Sequence, residues 1–450
     1  MLYQFPPGPR PRPIVGNLLE FRKDQLGYIT RLQQQYGKAS TFYFGKAPMV
    51  MFTTPEAVRY VLVEHAKNFT IREITQGLRL LLGNGLLTTD GEFHQQQRRL
   101  VLPAFHRRRV ESYRDTMIDY TERMLEYWQP GQRVDMAMEM QHLTLRIVAK
   151  ALFNVDLTHE SHTLGVAFDD VREYPNRRRY SFRGLRINLP FTPYGKFVRA
   201  KALLDRTVYE IIAQRRETGE DMGDVVSMLL AARDEDGSAL SDVQVRDQLM
   251  TLLAAGHETT ANALTWTFYL LSQNPKERDK LLAELHTVLN GRSPVVEDLE
   301  RLPYLEMVVK ESMRLFPPAW FLGRCAVKDY DLEGYHLPAA SFVVLSPWVI
   351  HHMAEYFAEP ERFWPERFDP EKGEKQPPFA YFPFGAGSRM CIGATFAMME
   401  ARLLLATILQ RFTPRLIPGH PVVPRPMVTL RTRFGMRMVL EPTREGVPAL

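Results

Sequence analysis

A long proline-free run from Ser241 to Asn274 constrains the fold of this chain more than any other feature. Ser241 and Gln244 have the spacing of a capping box, in which each side chain bonds the backbone of the other residue at a helix start. Pro275 ends the run, because proline cannot continue a helix. At 1.5 Å per residue, such a helix is roughly 50 Å long, enough to cross a whole domain. The sequence therefore predicts one helix that spans the protein.

The rest of the chain reads as helical with a small amount of sheet. Residues 55–311 predict mostly helices, and residues 39–54 predict a β-hairpin with its turn at Gly45-Lys46. Further short strands are predicted at residues 327–337, 341–345 and 428–440. The sequence contains no internal repeat and no low-complexity linker. We therefore expect a single domain over residues 1–450, mainly α with minor β.

A glycine-rich segment around one cysteine carries the clearest chemical signal. The chain has two cysteines, which excludes a disulfide framework or a four-cysteine zinc site at Cys391. Cys391 lies directly before an apolar helical run, and a helix N-terminus favours thiolate over thiol. Gly387 and Gly393 permit a tight or left-handed backbone and close approach to a flat ligand. Arg389 can hold a carboxylate. One segment therefore offers what a heme needs from a protein.

The pattern Phe-x-x-Gly-x-Arg-x-Cys-x-Gly, from Phe384 to Gly393, resembles the cytochrome P-450 family of heme-thiolate monooxygenases, of the soluble bacterial type. The competing interpretation is a buried free cysteine in a helix-capping loop. The resemblance implies a single-domain cytochrome P-450 fold, a triangular prism of helices with a long central helix over the heme. It also implies heme b (iron protoporphyrin IX), with Cys391 as the iron ligand and Phe384, Arg389 and Gly393 as further cofactor contacts.

The long helix contains the motif Ala-Gly-His-Glu-Thr-Thr at residues 255–260. Gly256 weakens a helix by about 1 kcal/mol relative to alanine, and Thr259 can turn its hydroxyl back to the Ala255 carbonyl. We therefore predict a local opening of the helix there. The resemblance implies that Glu258 and Thr259 are catalytic and pass protons to oxygen, and that Ala255 borders the heme. The alternative is an ordinary helix.

Several cations are candidates to hold the heme propionates. His94 and Arg98 are one helical turn apart and resemble the family's Trp/His-x-x-x-Arg pattern. Arg324 matches a further propionate arginine of the family, and Arg389 is the candidate within the cysteine segment. Each of them could instead be a surface cation.

A second group of charges is predicted to be structural. Glu311 and Arg314 are three residues apart on one helical face, a spacing that is common in exposed pairs and worth little there. The family completes this pair with a distant arginine, which corresponds to Arg367. The resemblance thus implies a buried network that holds the scaffold of the heme segment. The similar Pro360–Phe363 is out of register with the family and is predicted to lie on the surface.

Substrate contacts are less specific in the sequence. Residues 176–195 form the least regular internal stretch, which is either a solvated loop or a mobile lid over a substrate channel. The family draws its pocket wall from apolar segments that here contain Leu80, Leu81, Leu82, Ala319, Trp320, Phe321 and Phe434. Any core helix also looks like this.

Composition limits the partners and the location. The net charge is +5, but no Lys/Arg block alternates with aromatic residues, so we expect no nucleic acid. The cluster Arg107–Arg109 would attract an acidic electron donor of the ferredoxin or flavodoxin type, served by an NAD(P)H reductase. No apolar run reaches the roughly 18 residues of a membrane span. We expect a cytoplasmic monomer without a fused reductase.

The sequence thus predicts a monooxygenase that inserts one oxygen atom from O₂ into a lipophilic substrate, such as a fatty acid or another long apolar molecule. Two alternatives are a peroxide-driven peroxygenase and a non-oxygenating heme-thiolate isomerase, although such relatives typically lose the acid-threonine pair. Another is a non-enzymatic heme sensor. A dinucleotide loop at Gly385 is excluded, because the third glycine is misplaced and no βαβ unit follows.

Overall fold

A computed structural model of the protein describes residues 3–179, 188–189, 191–233 and 237–443, with side chains except at 175–179. The α-helices, numbered in chain order, are α1 (Leu18–Lys23), α2 (Gln25–Tyr36), α3 (Pro55–Arg59), α4 (Gln76–Leu82), α5 (Gly91–Val101), α6 (Arg107–Glu111), α7 (Arg114–Glu126), α8 (Met136–Phe153), α9 (Ser161–Arg179), α10 (Pro193–Thr218), α11 (Val225–Ala231), α12 (Asp242–Gln273), α13 (Pro275–Leu289), α14 (Pro303–Leu315), α15 (Pro347–His351) and α16 (Ala394–Arg411).

The strands are short. They are β1 (Ala39–Phe44), β2 (Ala47–Phe52), β3 (Phe69–Thr70), β4 (Arg133–Asp135), β5 (Leu322–Ala326), β6 (Tyr330–Leu332), β7 (Tyr335–Leu337), β8 (Phe342–Leu345), β9 (Phe412–Leu416), β10 (Pro424–Pro426), β11 (Leu430–Thr432) and β12 (Arg437–Pro442). Tighter or wider helical turns occur at Tyr60–Glu64, Ala66–Asn68, Leu102–Phe105, Val296–Arg301, Pro365–Phe368 and Gly387–Arg389.

The predicted long helix is confirmed as α12. It starts with the capping box, in which the Gln244 N–H donates to Ser241 Oγ (3.3 Å) and the Ser241 N–H donates to Gln244 Oε1 (2.8 Å). Most of its side chains are buried, Trp266 among them. Its second turn is polar yet buried, with Arg246, Asp247 and Gln248 covered by the rest of the fold. Tertiary packing therefore stabilises α12 more than helix propensity does.

Contacts between Cα atoms group the chain into two compact units. The first consists of Met1–Ile74, Lys310–Cys391 and Pro424–Arg431. Its sheet has the order β1-β2-β8-β5-β3, in which β2 and β8 are parallel and the other neighbours are antiparallel. The predicted hairpin is confirmed as β1 and β2, with Gly45 at φ 62° in the turn. Apolar side chains pack on both faces of this sheet.

The second unit consists of Thr75–Val309, Ile392–Val423 and Thr432–Leu450. In it, α12 packs against α8, α10 and α16, and a small antiparallel sheet has the order β4-β12-β9. The apolar run after Cys391 forms α16, as predicted. The single domain over residues 1–450 stays a prediction.

Two local predictions were wrong. The irregular stretch is shorter than residues 176–195, because α9 continues to Arg179 and α10 begins at Pro193, where Thr192 caps it. Residues 180–187 and 190 lie outside the described residues, so the lid stays a prediction. Strand β5 was also missed, since its glycine and arginine hide the β pattern, and the predicted strand at 327–337 is the separate pair β6 and β7.

Candidate functional site

The two cysteines occupy contrasting environments. Cys391 is exposed, whereas Cys325 is buried in β5, and burial raises the pKa of the Cys325 thiol to about 11. A thiol with this pKa stays protonated and unreactive at neutral pH. Cys391 ends a segment of residues 382–391, which we call the Cys391 loop. Of the two thiols, the one that a bound ligand can reach is therefore that of Cys391.

Backbone hydrogen bonds fold the Cys391 loop onto itself. The Gly385 N–H donates to the Phe382 carbonyl (2.9 Å), and the Cys391 N–H donates to the Phe384 carbonyl (3.0 Å). Between them, Gly387–Arg389 forms a single tight turn. These hydrogen bonds close the loop and fix the backbone position of Cys391.

Glycine is required at two loop positions, but they are not both the predicted ones. Gly387 has φ 68°, and a Cβ there would lie 1.9 Å from the Leu62 carbonyl oxygen. Gly385 has φ 71° and open space beside it. Gly393 was predicted to permit a tight or left-handed backbone; it caps α16 at φ −87°, which is not left-handed. Any role of Gly393 toward a cofactor would therefore be steric, through its missing side chain.

The structure brings Glu311, Arg314 and Arg367 together in one buried network. Arg314 donates through Nε to Glu311 Oε2 (2.7 Å) and through Nη2 to Oε1 (2.9 Å), and Arg367 Nε donates to Oε1 (3.1 Å). All three side chains are fully buried. Glu374 also accepts from Arg367 (2.5 Å), and Glu311 accepts the Trp364 N–H (2.9 Å). Each charge is therefore paired, as burial demands.

The surface interpretation of Pro360–Phe363 agrees with the structure for its arginine. Arg362 pairs with Glu359 at 3.0 Å, and both side chains are more than half exposed. The two similar stretches differ because only Arg367 points into the network.

The two predicted propionate arginines of the first unit, Arg324 and Arg389, are half-buried. Arg324 lies in β5 and donates to the Gly323 carbonyl (2.8 Å), and Arg389 lies in the turn of the Cys391 loop. Trp320, in contrast, is buried within the apolar core and donates to the Met427 carbonyl (2.9 Å). Its place in a pocket wall stays a prediction, with the indole already packed in this core.

In the second unit, His94 and Arg98 lie one turn apart on α5. His94 is buried and Arg98 is half-buried. Between them, Gln97 accepts a hydrogen bond from Gln248 of α12 (2.5 Å), and Gln248 in turn accepts the Leu86 N–H (3.1 Å). This buried pair of amides holds α5 and the preceding loop on the long helix.

The middle of α12 has a solvent-exposed face, which we call the bare face. Ala255 is exposed and Thr259 is half-buried, although the helix is covered along most of its length. Thr259 Oγ1 donates to the Ala255 carbonyl (2.9 Å), as predicted. The predicted local opening is wrong, since α12 stays α-helical throughout. Gly256 has a packing role instead, because a Cβ there would lie 3.1 Å from Val148 Cγ2 of α8.

Glu258 has a partner that the sequence did not reveal. Arg172 of α9 donates to Glu258 Oε2 (2.7 Å) and to Asp169 Oδ1 (2.6 Å). Glu258 and Arg172 are both buried, and the arginine lies over the Phe168 ring. Since 86 residues separate the two charges, no local pattern could have paired them.

Replacing Arg172 by methionine should strand the Glu258 charge inside the protein. We expect the free energy of unfolding to fall by about 3 to 5 kcal/mol, measured by urea denaturation followed by circular dichroism. The matched control is Arg123→Met, which removes an exposed partner of Asp119 and should change stability by less than about 1 kcal/mol. Equal effects of both substitutions would show that the Glu258 pair contributes nothing special.

Glu400 of α16 is the other acidic residue that sequence reasoning missed. Its side chain is fully buried, and neither carboxylate oxygen has a hydrogen-bond donor in good geometry among the described residues. Burial raises the pKa of Glu400 to about 8, and the Thr260 hydroxyl of α12 opposes this in part. The carboxyl group is therefore largely protonated at neutral pH.

The basic cluster predicted to dock an electron donor is partly neutralised. Arg107 donates to Glu111 (2.8 Å) and to Glu300 (3.3 Å) on the surface. Arg108 is exposed. The cluster therefore presents less positive charge than its sequence indicates.

No group of three or more histidine, cysteine, aspartate or glutamate side chains among the described residues is arranged to hold a metal ion. The exposed sulfur of Cys391 is a ligand of the kind that heme iron takes from a protein, since the porphyrin supplies the four equatorial ligands. No helix in the same residues has the length and apolar character needed to cross a membrane.

The glycine-bounded cysteine, the buried charge network and the long helix define a heme-thiolate protein. The chain belongs to the cytochrome P450 family, whose sequence profile matches residues 6–436. It is a monooxygenase that binds heme b. It is 38% identical to cyclooctatin synthase of Streptomyces melanosporofaciens over 96% of this chain and 94% of that one.

Two further comparisons agree with this assignment. The chain is 32% identical to pentalenene oxygenase of Streptomyces avermitilis, with 96% of each protein covered. The structure of retinoic acid-bound cyanobacterial CYP120A1 superposes with a TM-score of 0.87 at 30% identity, covering 98% of this chain and all of that one. The cytochrome P-450 fold expected from the sequence is thereby confirmed.

Proposed function

We propose that this enzyme hydroxylates a terpene-like and largely apolar substrate with one oxygen atom of O₂. The exposed Cys391 in its closed loop is the observation that carries the monooxygenase chemistry. Relatives named cyclooctatin synthase, cyclooctat-9-en-7-ol 5-monooxygenase and pentalenene oxygenase support a terpene in preference to the long aliphatic chain expected from the sequence.

The proposed cofactor contacts follow from the site. Cys391 would ligate the iron, and Phe384 and Gly393 would flank it. Propionates would bind the cations described above, which are His94, Arg98, Arg324 and Arg389. Ala255 would border the cofactor, because its small methyl side chain leaves room beside the exposed face of α12.

The heme, when bound through a thiolate, supplies the electron-rich centre at which the O–O bond is cleaved. The chain itself handles protons. Glu258 accepts a hydrogen bond from Arg172 at Oε2, which would hold its carboxylate in place for proton exchange. Thr259 carries a hydroxyl on the bare face of α12, where it can donate a hydrogen bond to a ligand.

We further propose that electrons come from a separate ferredoxin- or flavodoxin-type donor in the cytoplasm. The overall charge of +5 supports an acidic partner. Because Arg107 is already paired, charge reversal at Arg108 should slow partner-supported turnover at low salt more than reversal at Arg107. Equal effects would contradict this proposed docking surface.

The decisive experiment is a titration of the ferric enzyme with two panels of ligands, cyclic terpenes and fatty acids of matched size. We expect the terpenes to shift the heme spin state at lower concentration, and a competent donor system to yield products heavier by one oxygen atom. Tighter binding of the fatty acids would contradict the substrate class. Product formation with peroxide and no reductant would favour a peroxygenase, and no product from any ligand would favour a heme sensor.

Replacing Thr259 by alanine should uncouple electron consumption from product formation. The variant loses the hydroxyl on the bare face, so we expect product formed per NAD(P)H to fall about tenfold or more. Thr267→Ala is the control, because that buried hydroxyl makes the same bond to the Ala263 carbonyl (2.7 Å) on another part of α12. Full coupling in Thr259→Ala would sink the assignment of this residue.

A further inference from the structure

A buried histidine connects the Glu311 network to the Cys391 loop. His351, at the end of α15, is fully buried. Its carbonyl oxygen accepts a hydrogen bond from Arg314 Nη1 (2.8 Å), and its ring Nε2 accepts the Phe382 backbone N–H (3.1 Å). One residue thus contacts both the charge network and the first residue of the loop.

The bond to Phe382 determines the protonation state of the ring. A backbone N–H can only donate, so Nε2 must carry its lone pair and the proton must sit on Nδ1. Nδ1 has no partner in hydrogen-bonding geometry among the described side chains and backbone. The imidazole is therefore neutral in the folded protein, and a proton on Nε2 would remove the acceptor from a buried N–H.

Phe382 is where the Cys391 loop begins to fold. Its N–H goes to His351, and its carbonyl accepts the Gly385 N–H (2.9 Å). The Phe382 ring packs against the imidazole with centroids 5.4 Å apart, and the Tyr381 ring does so at 5.2 Å. The imidazole thus binds the first residue of the loop, where the hydrogen bonds within the loop also begin.

We propose that His351 is a positioning residue for the iron ligand, because its neutral ring ties the Cys391 loop to the Glu311 network. The proposal rests on the assignment of Cys391 as the heme ligand. It adds a pH limit to that assignment, since acid protonates the acceptor and releases the Phe382 N–H.

The charged and titratable groups that face His351 all disfavour its protonation or are neutral. Arg314 of α14 lies at its carbonyl, His352 directly follows the end of α15, and Tyr381 packs on its ring. Burial, with smaller contributions from His352 and Arg314, lowers the pKa of His351 far below its ordinary value. The backbone carbonyls of Arg314 and Met313 oppose this in part.

The sign of the pH effect follows from this lowered pKa. The stabilisation by neutral His351 is complete above about pH 6.5, the pKa of an unfolded histidine, and is lost as the pH falls toward the lower pKa of the folded protein. Loss of the thiolate-bound heme should therefore accompany acidification.

The test compares His351→Gln and His351→Leu with His352→Gln in the heme-loaded enzyme. Glutamine can still accept the Phe382 N–H and does not titrate, whereas leucine cannot accept it. His352 is the matched control, because its Nδ1 bonds the Trp348 carbonyl of α15 (2.7 Å) and not the loop. The readout is the thiolate-specific Soret band of the ferrous carbon monoxide complex, recorded from neutral to acid pH.

We expect His351→Gln to keep the band at neutral pH and to lose it at a midpoint about one pH unit lower than the wild type. His351→Leu should lose it at a midpoint at least about one unit higher. His352→Gln removes a minor contribution to the lowered pKa of His351, so it should shift the midpoint much less than either change at His351. If His351→Leu fails to bind heme, the midpoint pH of His351→Gln alone tests the proposal. Equal midpoints in wild type and His351→Gln would overturn the proposal, as would a loss confined to His352→Gln. A wild type without the thiolate band would contradict Cys391 as ligand instead.

Discussion

Replacing Glu311 by glutamine is expected to lower the free energy of unfolding by about 3 to 5 kcal/mol. The substitution keeps the size of the side chain but removes the negative charge that two fully buried arginines share. Arg314 would lose its charged partner and retain neutral acceptors, which are backbone carbonyls and the amide oxygen of the glutamine, whereas Arg367 would retain Glu374. Since a typical domain is stable by 5 to 15 kcal/mol, this loss should leave much of the protein without bound heme.

The measurement combines urea denaturation, followed by circular dichroism, with the ratio of heme absorbance to polypeptide. Glu359→Gln is the control, because it removes a carboxylate from the exposed pair with Arg362 in the neighbouring, similar stretch. That change should cost less than about 1 kcal/mol. A Glu311→Gln variant as stable as the control would refute the idea that the network supports the fold.

Replacing Glu400 by glutamine should stabilise the protein at alkaline pH. Burial raises the pKa of Glu400 to about 8, so the folded state binds this proton more tightly than the unfolded state does. Stability of the wild type therefore decreases as the pH rises from the ordinary glutamate pKa through the raised one. At 1.36 kcal/mol per pKa unit, the stability gained by the variant should be about 3 kcal/mol larger near pH 8.5 than near pH 5.5.

The comparison between the two pH values separates this effect from packing. Glu400→Leu serves as a second non-titrating variant, whose absolute stability will differ but whose pH dependence should match Glu400→Gln. Thermal unfolding at both pH values gives the required differences. If both variants show the wild-type pH dependence, Glu400 is not the titrating group.

The parts of the fold that were predictable depend on short-range chemistry. Ser241, Gln244 and Pro275 mark both ends of α12, because a capping box and a proline act within one helical turn. Gly45 marks the hairpin in the same way, since its left-handed backbone sets the turn. The candidate site was partly predictable too, because the family pattern around Cys391 is contiguous in sequence.

Other structural features could not be predicted, because they depend on how helices and strands far apart in sequence pack together. Gly256 was expected to open the helix, whereas it makes room for Val148 of α8. Trp320 was expected at a pocket wall, and the core already encloses it. A glycine or an apolar residue is compatible with several packing arrangements, so composition alone cannot choose among them.

The sequence by itself determined the extent of the long helix, the hairpin and the order of residues in the Cys391 loop, because caps, prolines and turns are local. Only the tertiary structure decided the pairing of Glu258 with Arg172, the isolation of Glu400 and the bond from Phe382 to His351. Burial and pairing set the cost of each charge, and both arise only when segments far apart in sequence are packed together.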